Sequence, residues 1–114
     1  MTLSTASAGA ARERLVRDHL TARGWIYPIR SAGSKGPVDL LLGSYEYGPI
    51  AVQIGTGGKT LGPADRERLV AAAEAYGAIP VLAQVIPRLG IVYRRVTPDT
   101  PATWATWNPE EPNA

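Results

Sequence analysis

Cysteine is absent from this 114-residue chain, so disulfides and thiolate chemistry are excluded. Histidine occurs once, as His19, which excludes a His-rich zinc site. No apolar run reaches the length of a membrane span, and no signal peptide is visible at the N-terminus, so a cytoplasmic protein with no membrane partner is expected. Acids are few before the tail. Residues 97–114 hold Asp99, Glu110 and Glu111 and no base, which leaves all 12 Lys and Arg against seven acids in residues 1–96. That basic body points mildly to nucleic acid, and an ordinary solvated surface would look the same. The length suits one domain able to bury its own core without metal or disulfide.

Turn formers and apolar spacing divide the chain. Ser7 is a candidate N-cap for a first helix that reaches Arg23, with Gly24 as its stop. Leu15, Val16, His19 and Leu20 recur at helical spacing and form its apolar stripe. Trp25–Ser31 reads as a strand, and Pro28 places it at a sheet edge because proline cannot donate to the ladder. A loop over 32–37 precedes a strand over Val38–Gly43, a hairpin turn over 44–48 and a partner strand over Ile50–Ile54. Gly55–Gly62 reads as a flexible loop. Pro63 then starts a helix that runs to about Tyr76, with Leu69, Val70 and Ala73 facing inward and Gly77 as its stop. Strands over Ile79–Val85 and Ile91–Val96 complete an αβββαββ order. The Pro-rich tail over 97–114 has no periodicity. It reads either as an extended arm that presents Trp104 and Trp107, or as a segment packed back on the body.

Two polar side chains stand out in the apolar strands. Asp39 lies near the start of one and Gln53 near the end of its hairpin partner, so the two meet at one sheet edge. A carboxylate and an amide oxygen converging there are well placed for a hard cation such as Mg²⁺. The alternative is a carboxylate capping the 34–37 turn beside a merely hydrogen-bonded amide. Glu13 lies at i−3 and i−7 from Val16 and Leu20, beside the buried stripe. It either pairs with Arg17 at i+4 or reaches a metal site. His19 on that stripe reads as a satisfied core or interface histidine.

Glu13-Arg14-Leu15, Gly24-Trp25, Arg30-Ser31-Ala32-Gly33-Ser34-Lys35-Gly36, Asp39-Leu40 and Val52-Gln53-Ile54 together resemble the Holliday junction resolvases of archaea and phages. Asp65-Arg66-Glu67-Arg68-Leu69 and the 77–83 run also fit, so the resemblance covers roughly residues 10–96. These resolvases are restriction-endonuclease-like nucleases, with a signature of Asp, then Glu or Gln, one residue, and Lys. The resemblance implies an α/β fold with a central mixed sheet flanked by helices, over a nuclease-like domain at 1–96. It implies Mg²⁺, with Mn²⁺ as a substitute, held by Glu13, Asp39, Gln53 and the Ile54 carbonyl. That metal would lower the pKa of a bound water and neutralise charge in the transition state. Ser34 matches a loop serine near the scissile phosphate, and Arg12, Arg30 and Lys35 match phosphate contacts. The implied partners are branched DNA and a second copy of the chain, in the host cytoplasm if the chain is phage-encoded.

One departure matters. The signature lysine belongs two residues after Gln53, where Gly55 stands. Lys59 folding back, a chain that binds junctions without cutting, and a glycine introduced in place of lysine are the three explanations. The same stretch, Gln53-IGTG-Gly58-Lys59-Thr60, is one glycine short of a P-loop. A P-loop helix should begin at Lys59-Thr60, whereas Pro63 sets a later start, so nucleotide binding is the lesser alternative.

Overall fold

The computed structural model describes residues 5–30 and 36–113, with side chains from residue 8 onward. Good helix formers give α1 over Thr5–Thr21. The helix already includes Ser7, which is therefore not its N-cap. Gly24 ends it at φ +92°, a left-handed backbone that favours glycine, and the Trp25 amide donates to the Leu20 carbonyl at 3.1 Å. Then follow β1 (Ile26–Arg30), β2 (Leu40–Ser44), β3 (Gly48–Thr56), α2 (Pro63–Ala75), β4 (Ile79–Ile86) and β5 (Gly90–Arg95). This is the expected αβββαββ order.

The strands lie in sequence order, β1-β2-β3-β4-β5. Hairpin-type neighbours pair antiparallel, while β3 and β4 pair parallel because α2 carries the chain back along the sheet. The result is the expected mixed sheet. β1 is an edge strand, as Pro28 requires. The proline sits in a bulge: Ile26 faces Gly43 but Ile29 faces Leu41, and Tyr27 between them adopts φ +54°.

Strand alternation splits the core in two. Leu40, Leu42, Ile50, Val52, Val81 and Ala83 pack with Val16, Leu20 and Trp25 on the α1 side. Leu82 packs with Leu61, Leu69 and Trp104 on the α2 side, where Ala73 is also fully buried. The α1 stripe is narrower than its spacing suggests, because Leu15 is 52% exposed.

The tail packs back on the body, so the extended-arm reading is corrected. The Trp107 amide donates to the Tyr93 carbonyl at 2.8 Å, Arg94 bridges Thr106, and Trp25 Nε1 donates to the Pro109 carbonyl at 3.0 Å. Trp104 and Trp107 are only 5% and 4% exposed, so they are core residues and not presented anchors. Trp107 joins the α1-side cluster and Trp104 the α2-side cluster. The tail therefore wraps the β5 edge and feeds both halves of the core. Among the described residues no helix is long and apolar enough to cross a membrane.

Candidate active site

The β2–β3 register ends with Leu40 opposite Val52, so Asp39 and Gln53, each one residue further along its chain, lie at the same end of the ladder. Val52 points toward α1 and Gln53 stands opposite Leu82, so Gln53 belongs to the α2 side. The Asp39 amide closes the ladder on the Val52 carbonyl at 2.8 Å. Asp39 Oδ2 accepts the Ile54 amide at 2.7 Å. β2 starts only at Leu40, so the carboxylate serves Ile54 as a further strand carbonyl would. This engages the amide of Ile54, not the carbonyl proposed as a metal ligand.

Burial pushes the Asp39 carboxyl above its ordinary value of 3.8, and the Glu13 carboxylate adds to the rise. The Ile54 hydrogen bond and the Lys59 ammonium pull the other way. Glu13 and Lys59 thus both act through space on Asp39. Gln53 Oε1 is buried and has no hydrogen-bond partner among the described residues. Leaving an acceptor in that state costs about 1–3 kcal/mol, which makes it a place to look for a missing electropositive partner.

Lys59 follows a tight turn, not a flexible loop. Gly55 and Thr56 are the last residues of β3, so the expected loop starts later than Gly55. The Lys59 amide returns to the Thr56 carbonyl at 3.1 Å, and Gly58 adopts φ +82°, as the third residue of a type II turn must. From there the Lys59 stem runs back over Gly55. A Cβ on Gly55 would overlap Lys59 Cδ and lie 3.0 Å from Cγ. Gln53 and Gly55, two apart on one strand, share a face. Lys59 therefore covers the place where a side chain at 55 would start, on the Gln53 side of the sheet.

Glu13 does not pair with Arg17. It pairs with Arg30 of β1, while Arg17 pairs with its neighbour Asp18 at 3.5 Å. The Glu13 side chain is 19% exposed and that of Arg30 66%. Two predicted site residues are thus brought together, one proposed for metal and the other for phosphate. Arg12 lies partly exposed on α1. Ser34 and Lys35, half of the 34–37 turn that Asp39 was alternatively expected to cap, lie outside the described residues. Among the described residues no three His, Cys, Asp or Glu side chains form a metal-holding group.

Gln84 was not anticipated as part of this site. It stands opposite Gly55 in the parallel β3–β4 register, and its Nε2 donates to the Lys59 carbonyl at 2.8 Å. The signal was available as the one polar side chain in the Ile79–Ile86 strand. The helix that follows the turn begins at Pro63, four residues after Lys59. A P-loop needs its lysine at the helix start, and this turn lacks that arrangement.

No family profile and no curated protein matches the chain. Solved structures do match. The chain is similar to Hjc of Archaeoglobus fulgidus, a Holliday junction resolvase from an archaeal hyperthermophile, with 26% identity, 76% of each chain covered and a TM-score of 0.66.

Proposed function

Since the chain has a Holliday junction resolvase-like nuclease fold, we propose that it binds four-way DNA junctions and cuts them in a divalent-metal-dependent reaction. The observation that carries this reading is the meeting of Asp39 and Gln53 at one ladder end, with the Lys59 stem laid over Gly55 beside them.

The donor set suits Mg²⁺ or Mn²⁺. Asp39 offers a carboxylate whose charge is poorly solvated, and Gln53 Oε1 is a buried acceptor with no partner among the described residues. Asp39 and Gln53 would hold the ion, with Glu13 as the acid on the α1 side and the Ile54 carbonyl as a further oxygen. When bound, the ion would supply charge stabilisation at the scissile phosphate. The residues have separate tasks. Asp39 is oriented by its hydrogen bond from Ile54. Lys59 brings the cation that the signature lysine would bring, and it opposes the negative charge that builds on the phosphate oxygens. Ser34 would serve near the scissile phosphate, and Arg12, Arg30 and Lys35 would take backbone phosphates. Glu13 holds Arg30 in the free protein. Recognition rests on branch shape and phosphate contacts, since phosphate contacts position without reading sequence. A two-fold junction cut symmetrically calls for two sites, hence a homodimer.

The test is cleavage of a four-way junction with Mg²⁺, with a plain duplex of the same sequence as control. The expected outcome is paired cuts on the junction and a binding preference for it that weakens with salt. Equal binding of junction and duplex would remove the resolvase reading. Preferential binding without cutting would favour the second reading, a branched-DNA-binding module, which the glycine at position 55 independently suggests.

A further inference from the structure

Gln84 is 9% exposed in a strand that is otherwise apolar. Burying an amide there costs desolvation that a leucine would avoid, so its hydrogen bond needs a purpose. That bond runs from Nε2 to the carbonyl of Lys59. Lys59 is an exposed residue just past a turn. The bond ties that exposed backbone to a buried strand, and what it adds is position. The next outward residue on that face of β4 acts on the same turn: a Cβ on Gly57 would stand 3.0 Å from Ile86 Cγ1, so Gly57 lets the turn settle on β4. With the Thr56–Lys59 hydrogen bond, three constraints fix the backbone from which the Lys59 stem crosses Gly55.

Resting on the nuclease reading above, the geometry points to Gln84 as a positioning residue that holds Lys59 over Gly55, so that a lysine carried on a turn does the work of one carried on the strand. A turn alone would place an ammonium loosely, and a displacement of about 1 Å costs up to roughly 100-fold in rate. Gln84 and Gly55 are two parts of one arrangement. The glycine leaves room for the stem, and the glutamine fixes its root.

Gln84→Met tests this, because it keeps an unbranched side chain of similar length and removes the donor. In metal-free protein, ¹⁵N relaxation should show the Gly57, Gly58 and Lys59 amides loosened, with the β4–β5 amides unchanged. Junction cutting should fall about 10- to 100-fold while junction binding holds. The same substitution is then placed in Gly55→Lys/Lys59→Ala, where the lysine sits on the strand. There it should no longer slow whatever cutting the relocated lysine restores. Turn amides as ordered as in the parent would overturn the inference. So would an equal loss of cutting in both backgrounds, which is the mark of a merely structural residue. A parent chain that cuts no junction would instead defeat the nuclease reading, and the relaxation result alone would then decide whether Gln84 positions Lys59.

Discussion

The Lys59 stem crosses the α-carbon of Gly55 closely enough to exclude a methyl group there. Gly55→Ala should therefore push the stem aside. The clash is with the flexible part of a long side chain, so the fold should tolerate it and the melting midpoint should stay within a few degrees. Junction cutting should fall by about 10-fold or more. Full activity in Gly55→Ala would show that the crossing has no role in cutting.

The Asp39 carboxyl is held above 3.8, chiefly by burial. Its folded form thus binds a proton more tightly than its unfolded form. The associated stability is fully present below 3.8 and is lost as pH rises through the folded value. Asp39→Asn keeps an acceptor for the Ile54 amide and removes the buried charge. The variant should gain stability relative to the parent as pH rises from about 3 to 7, followed by thermal denaturation without metal. A gap that narrows over that range would contradict the assignment.

Mg²⁺ should stabilise the parent at neutral pH, by about 2.7 kcal/mol at 100 times its dissociation constant. The gain should shrink in acid, where Asp39 holds its proton, and should be lost in Asp39→Asn. Equal stabilisation of parent and variant would place the ion elsewhere.

His19 Nδ1 lies 2.9 Å from the Tyr93 hydroxyl. Burial lowers its pKa below 6.5, the Arg23 guanidinium lowers it further, and Glu110 opposes them. A lowered histidine contributes stability above 6.5 that is lost as pH falls through the folded value. The parent should therefore lose more stability between pH 7 and 5 than His19→Gln does. Parallel melting curves over that range would remove the effect.

Trp107 packs on Trp25 and Tyr93, with ring centroids 5.4 and 5.7 Å away. Trp107→Ala should cost about 3–5 kcal/mol in urea unfolding. A cost below about 1 kcal/mol would mean that the tail is detached in solution.

The order of elements was legible because its signals are local. Gly24, Pro63 and Gly77 mark helix ends through backbone conformation, and Pro28 marks an edge through its missing donor. That Asp39 and Gln53 fall at one end of the β2–β3 hairpin was legible too, because a hairpin fixes which strand ends adjoin. Three features were not. The partner of Glu13 is Arg30 and not Arg17, since a helix face also meets the neighbouring strand and i+4 spacing sees only the helix. The fate of Trp104 and Trp107 depends on where β5 ends in space, so a tail without periodicity left the extended-arm and packed-back readings both open. The grip of Gln84 on Lys59 joins residues 25 apart across a parallel pair, a register that only the α2 crossover sets.

The C-terminal segment lies along β5, with the Arg95 amide donating to the Ala105 carbonyl and the Trp107 amide to the Tyr93 carbonyl. Among the described residues no strand pairs with the other margin, β1, which is bent by its bulge. A sheet sealed on one side by its own chain terminus cannot propagate. Growth into a fibre by strand addition needs two free margins on every molecule, and this one keeps a single, distorted margin. Strand-to-strand meeting of two molecules would end with the pair.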